Sequence, residues 1–180
     1  MIKITSHEIF SEIKIIKPKV FSDKRGFFTE IYNKKTFEIN GLNLDFVQDN
    51  YSFTEEKGVI RGLHFQYEPF AQDKLVRVMN GKILDVFVDI RENSSTYKKW
   101  GSYILDQKNE EWLLVPKGFA HGFLTLDNKC NVLYKVTDFY NAEKENGIIW
   151  NDEQLAIDWF GIKNPILSDK DMELKKLNEI

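Results

Sequence analysis

Short runs rich in β-branched and aromatic residues, each closed by turn-forming residues, fill the middle of this chain and set its fold class. Leu75-Val76-Arg77-Val78-Met79 and the run over residues 82–90 flank Asn80-Gly81. That pair suits the two positive-φ positions of a tight type I′ turn, so the pattern predicts a β-hairpin. Glu111-Trp112-Leu113-Leu114-Val115 is a further strand, stopped by Pro116. Residues 119–126 and 132–139 are expected to pair around the polar turn Asp127-Asn128-Lys129. In the second of these, Val132, Tyr134 and Val136 share one face, and Leu133, Lys135 and Thr137 the other. Helical signals stand only at the edges. Residues 34–39 can wind a turn or two before Asn40-Gly41 stops them, and Ser168 opens a capped C-terminal helix running through Met172 to Leu177. The fold class is therefore mainly β, a sandwich, barrel or jelly roll, of the kind that holds ligands in its mouth.

A chain of 180 residues falls within the roughly 100–200 expected of one domain, and residues 1–180 are read as such. Its 4 prolines are scattered singly, and no Gly/Ser-rich stretch suggests a linker. The 14 Phe, 7 Tyr and 4 Trp supply bulky material for one sizeable core. A formal charge of −3 argues against nucleic acid or an anionic membrane as partner. It leaves an anionic small ligand open, because local arginines and lysines can outvote the global sign. The 1 cysteine, Cys130, cannot form an intramolecular disulfide. No apolar run approaches the ~20 residues that span a bilayer, and the N-terminal residues lack the pattern of a secretory leader. A soluble, cytoplasmic protein is expected.

Of the 3 histidines, His7 sits in a polar segment and reads as a surface residue. His64 lies in Gly58-Val59-Ile60-Arg61-Gly62-Leu63-His64-Phe65-Gln66, where simple alternation puts Ile60, Gly62, His64 and Gln66 on one face. Arg61, Leu63 and Phe65 then occupy the other. A histidine in a strand is commonly a hydrogen-bonded core group, but a nearby glycine marks close approach of a backbone or a ligand. His121, in Gly118-Phe119-Ala120-His121-Gly122, repeats that setting. Metal capture wants about three or four converging ligands, and the chain offers no His-x-His pair or carboxylate spaced to complete one, so no metal and no cofactor is expected. Arg61 and Lys74 fall inside β-patterned runs, where they either face solvent or face a polar cavity with an anion.

The ordered succession of segments resembles the dTDP-4-dehydrorhamnose 3,5-epimerase family of sugar-nucleotide epimerases. It runs from Ser22-Asp23-Lys24-Arg25-Gly26-Phe27-Phe28-Thr29-Glu30 and Gln48-Asp49-Asn50-Tyr51-Ser52 through Arg61-Gly62-Leu63-His64-Phe65-Gln66 and Lys74-Leu75-Val76-Arg77-Val78. It continues through Pro116-Lys117-Gly118-Phe119-Ala120-His121-Gly122-Phe123 and Tyr134-Lys135 to Leu167-Ser168-Asp169-Lys170-Asp171. Two departures stand out: Asp73 where the family usually has Gly, and Phe160 where Pro is usual.

The resemblance implies a metal-independent, cupin-type jelly roll working as a homodimer with exchanged N-terminal strands. It also implies a role for each matching residue. His64 is the general base, Asp171 the carboxylate that orients it, Tyr134 the proton donor, and Lys74 a cation near the keto oxygen. Arg25, Glu30, Gln48, Asp49, Asn50, Arg61, His121, Glu145 and Lys170 match positions that bind the nucleotide, its diphosphate or the sugar. Taken alone, Asp171 could equally cap a helix and Tyr134 could fill a core. The chemistry suits these residue types. Protons at C3 and C5 of a 4-keto sugar lie α to a carbonyl, so a base can remove them where the enolate is stabilised. The expected activity is conversion of dTDP-4-dehydro-6-deoxy-D-glucose to dTDP-4-dehydro-L-rhamnose. The alternatives are a relative that inverts one centre, one that takes another nucleotide sugar such as a GDP-linked heptose, and a barrel that binds sugar nucleotides without turnover.

Overall fold

The computed structural model describes residues 2–180. In chain order its elements are β1 (Lys3–Ser6), β2 (Lys14–Lys17), β3 (Val20–Asp23), β4 (Gly26–Thr29), α1 (Lys34–Ile39), β5 (Gln48–Thr54) and β6 (Ile60–Gln66). They continue with β7 (Lys74–Asn80), β8 (Lys82–Asp89), β9 (Trp100–Asp106), β10 (Trp112–Val115), β11 (Phe119–Thr125), β12 (Cys130–Val136), β13 (Glu145–Gly147) and α2 (Asp169–Met172). Two sheets face each other, a six-stranded one in the order β1-β2-β10-β7-β12-β5 and a five-stranded one in the order β13-β6-β11-β8-β9. The architecture is a cupin-type jelly roll. Strands β3 and β4 form a hairpin of their own outside both sheets.

The alternation of side chains along each strand divides the apolar residues among three cores. Between the sheets, Val76, Val78, Val115 and Val132 meet Ile83, Phe87, Phe119 and Phe123. Behind the five-stranded sheet, Leu63, Phe65, Val86 and Val88 are covered by Leu155, Trp159 and Leu177 of the C-terminal segment. Behind the six-stranded sheet, Leu75, Trp112 and Leu114 lie under Phe37 of α1. That helix keeps its expected bounds. Asn33 caps it by accepting from the Thr36 N–H at 3.1 Å, and Gly41, at φ +83°, lies just past its end.

Both expected hairpins in the middle of the chain are corrected by the topology. β7 pairs with β10 and β12, whereas β8 pairs with β9 and β11, so Asn80-Gly81 carries the chain from one sheet to the other. Only Gly81 takes a positive φ there, not both residues of a type I′ turn. The turn over residues 127–129 likewise joins β11 of one sheet to β12 of the other. The two corners stack, and a Cβ on Gly81 would lie 2.7 Å from Cys130 Sγ. The C-terminal helix is also shorter than its sequence pattern. It ends at Met172, because Lys175 is drawn into an extended bridge with Ile148 and accepts from the Ile149 N–H at 2.8 Å. His7, expected at the surface, is half-buried against Phe10 and Phe87.

Candidate active site

The site begins with an irregularity in β6. His121 of β11 pairs with His64, but Phe123 pairs with Arg61, so three steps along β6 match two along β11. The extra residue is a β-bulge, and it sits at Gly62, whose φ is +106°. A Cβ at Gly62 would come within 2.7 Å of the His121 carbonyl oxygen and 2.8 Å of Gly122 Cα. Only glycine fits so close to the neighbouring strand. Alternation is broken there, which corrects the expectation that Arg61 and His64 face opposite ways. Ile60, Leu63 and Phe65 pack into the outer core, while Arg61 and His64 both line the space between the sheets.

That space is a cavity of about 220 Å³ with an adjoining lobe of about 170 Å³, and His64, Lys74 and Tyr134 line both. His64 Nε2 lies 2.6 Å from Asp171 Oδ1. Asp171, only 4% exposed, is delivered by α2, where Ser168 Oγ caps the turn by accepting the Asp171 N–H at 3.1 Å. The two sequence readings of Asp171 therefore both hold a part of the truth. Its backbone is tied by a cap, and its carboxylate is turned to the histidine. Burial pushes that carboxyl up, but hydrogen bonds and charge from His64, with further bonds from Ser168 and the Gly62 N–H, hold it below the usual range.

Lys74 enters from β7 in the opposite sheet, and its Nζ donates to the His64 carbonyl at 3.2 Å. Loss of water pulls the ammonium down to about 8, against the opposing charges of Asp85 and Glu145. Tyr134 faces the cavity from β12 with Val132, as its alternation predicts. Burial raises its phenol, with Arg61 pulling it back and Glu145 raising it further, so it keeps its proton at neutral pH. His121, also in the cavity wall, holds both oxygens of the fully buried Asp85 at 2.9 Å through Nε2.

The remaining expected residues divide into those the fold gathers and those it does not. Arg61 is braced by Thr54 Oγ1, which accepts from both Nε and Nη2 at 3.2 Å. Lys170 Nζ donates to Glu145 Oε2 at 2.5 Å, and Tyr140 donates to the same oxygen at 2.7 Å. Burial pushes the Glu145 carboxyl up, yet these two partners bring it below its ordinary value. Gln48 and Asn50 line the adjoining lobe, hydrogen-bonded to each other at 2.9 Å. Asp49, between them, points to the other face of β5 and pairs with Lys135 at 2.7 Å. Arg25 lies on the β3–β4 turn with its side chain 83% exposed and bound to Asp23, and Glu30 accepts from Asn33 at 3.1 Å. None of these three lines the cavity of its own chain. The Asp73 departure also points elsewhere, accepting from the Lys117 N–H and from Thr137.

Ser52, Asp85, Tyr140 and Ser168 join the site without having been given a role in it from the sequence. Ser52 follows Gln48 and Asn50 on the same face of β5, so alternation could have found it. Asp85 is a charge in the middle of an apolar strand, the signal already noted for Arg61 and Lys74. Among the described residues, no group of three or more His, Cys, Asp or Glu side chains is gathered to hold a metal ion.

A family model described as dTDP-4-dehydrorhamnose 3,5-epimerase matches residues 8–179. The dTDP-4-dehydrorhamnose 3,5-epimerase of Escherichia coli K12 is 49% identical over 170 residues, covering 94% of this chain and 91% of that protein. The crystal structure of the Bacillus anthracis enzyme of the same name, with TDP and PPi bound, superimposes with a TM-score of 0.94 at 50% identity, covering 98% and 99% of the two chains. The Legionella pneumophila dTDP-6-deoxy-D-glucose-3,5-epimerase, in complex with dTDP-4-keto-L-rhamnose, gives 0.93 at 44% identity over 100% of this chain and 95% of that one. Sequence and fold thus agree along nearly the whole length, and the chain belongs to the dTDP-4-dehydrorhamnose 3,5-epimerase family.

Proposed function

We propose that this protein inverts C3 and C5 of dTDP-4-dehydro-6-deoxy-D-glucose to give dTDP-4-dehydro-L-rhamnose. The observation that carries the mechanism is the placement of His64 and Tyr134 on opposite sheets, facing one cavity. His64, held by Asp171, removes the proton α to the C4 carbonyl. Lys74 offers its ammonium to the oxygen that gains charge as the enolate forms, the preorganised stabilisation such intermediates need. Tyr134 then returns a proton from the other side, which inverts the centre; once His64 has given its proton to solvent and Tyr134 has regained one, the second centre follows by the same exchange. Arg61 and Lys170 supply positive charge for the diphosphate, and Gln48, Asn50, His121 and Glu145 supply polar contacts to the rest of the ligand.

The same reading includes a homodimer. The β3–β4 hairpin exposes Phe21, Phe27 and Phe28, an apolar tip that water disfavours, and carries Arg25 away from its own cavity. A partner's cavity that receives this hairpin gains Arg25 and Glu30. One domain over residues 1–180 and a cytoplasmic location belong to the proposal as well. Among the described residues no helix is long and apolar enough to cross a membrane.

The deciding experiment is incubation with dTDP-4-dehydro-6-deoxy-D-glucose in D₂O, with label located by NMR. Deuterium at C3 and C5 of the product supports the proposal. Label at one carbon identifies a single-centre epimerase, and binding without label identifies a silent barrel; either result overturns it.

The position of Lys74 gives a pH dependence with a definite sign. Its ammonium, held near 8, is protonated below that value and lost above it. The rate constant kcat is therefore expected to fall as pH rises through about 8, and the limb to vanish in Lys74→Ala. A wild-type limb beyond pH ~10, the ordinary range of lysine, would show that the ammonium is not desolvated.

A further inference from the structure

The cavity wall holds a second histidine, His121, and the mechanism above leaves its carboxylate partner, Asp85, without a task. His121 and His64 are register partners on adjacent strands, and each has its own aspartate. Asp85 comes from the next strand, β8, on the same inward face as Ile83 and Phe87. It is 0% exposed, and both of its oxygens accept from the one nitrogen, His121 Nε2, at 2.9 Å. A carboxylate this deep in an otherwise apolar strand is costly unless it is paired, and truncating such a pair leaves a buried charge alone. Two groups bear on it. One is His121, and the other is Lys74, whose ammonium interacts with Asp85 from the facing sheet.

We propose that Asp85 is a positioning residue for the epimerase reaction: it fixes the His121 ring through Nε2, so that Nδ1 is the nitrogen offered to the substrate, and it is the buried counter-charge of the Lys74 ammonium. The inference rests on the epimerase reading of the site. Asp85 touches neither substrate nor enolate. It acts through two groups that do. With Nε2 committed to the carboxylate, His121 cannot turn over in its pocket, and its hydrogen-bonding character toward the sugar is set by one atom. The pair also gives the six-stranded sheet's cation a partner across the barrel, so the positive charge that meets the enolate oxygen is anchored from behind.

Several other groups bear on Lys74. Glu145 of β13 adds negative charge to it, His64 of β6 accepts from it, and Tyr134 of β12 shares both lobes of the cavity with it. Lys170 and Asp171 of α2 complete the wall. Asp85→Asn keeps the shape and removes the charge, leaving Glu145 as the remaining anion named against Lys74. The basic limb of kcat should then move to lower pH by roughly one unit, the scale of one close opposite charge. Deuterium exchange by His64 should survive, because the His64–Asp171 pair is untouched.

The test is a pH profile of kcat and KM for wild type, Asp85→Asn, His121→Gln and the double variant, with circular dichroism and dTDP affinity recorded for each. The proposal expects the acid-ward shift in Asp85→Asn and its persistence in the His121→Gln background. It also expects the KM effects of the two single variants to be non-additive, because they act through one ring. An Asp85→Asn enzyme that is folded, binds dTDP and has the wild-type profile overturns it. If Asp85→Asn does not fold, Asp85→Glu, which keeps the charge, should retain the wild-type limb, and a shifted limb in that variant overturns the proposal equally. Wild-type protein without epimerase activity instead rejects the reading of the site itself, a separate outcome.

Discussion

His64→Asn is expected to stop both deuterium washout and product formation, while Tyr134→Phe stops inversion and leaves exchange running. The reason lies in the separation of the two groups. With His64 gone, the base that Asp171 holds at 2.6 Å is lost, and the other histidine of that wall, His121, has its Nε2 engaged by Asp85. With the phenol gone, His64 still forms the enolate and can return the proton to the face it came from. General acid and base groups contribute about 10²–10⁴-fold, so each loss is well within reach of a discontinuous assay. The measurement is substrate deuteration and product formation, followed together by NMR in D₂O. If Tyr134→Phe loses exchange as completely as His64→Asn, with fold and dTDP binding intact, the division of labour assigned to them is wrong.

Gly62→Ala is expected to damage both the fold and the site. The new Cβ would stand 2.7 Å from the His121 carbonyl oxygen and 2.8 Å from Gly122 Cα, both backbone atoms that cannot swing aside. The φ of +106° adds strain of its own for any L side chain. Together these should cost about 3 kcal/mol, which for a domain of this size lowers Tm by roughly 6–12 °C. Relief by local rearrangement would have to pull β6 from β11 or undo the bulge, and either one turns Arg61 or His64 out of the cavity. Thermal unfolding by calorimetry, with kcat measured well below Tm, checks both halves. A variant with wild-type Tm and wild-type kcat would falsify the account of the bulge.

What the sequence made legible was local. The β patterns over residues 75–90 and 111–136 mark real strands, and the Asn40-Gly41 stop ends α1 where expected. Tyr134 faces inward because alternation on β12 is regular. The misses share a physical cause, which is that local chemistry does not say what lies across a gap. Asn80-Gly81 makes a tight corner whether the next strand folds back beside the last or crosses to the other sheet. Ser168 opens a helical turn whether or not Lys175 is later claimed by Ile148. The parity error at Arg61 belongs to the same class, because the bulge at Gly62 exists to fit β11, a strand far away in the sequence. Site residues became readable through the ordered resemblance to a family, and Asp85 escaped notice because its partner, His121, lies on another strand.

In the proposed mechanism the base and the acid sit on different sheets, and this makes the stereochemical outcome a property of the protein's interior. Sheets packed face to face stand about 10 Å apart, a separation set by the side chains between them. Here those are Val76, Val132, Phe87, Phe119 and Phe123, close neighbours of the cavity, not loops at its mouth. An enolate held between two walls partitions between the proton that returns and the proton that inverts according to how near each wall stands. A methylene gained or lost in this filling changes that balance before it changes any contact with the sugar. On that mechanism, fidelity of inversion is tied to the spacer between the sheets, and Phe87 and Phe119, which do not line the cavity, bear on it through their packing alone.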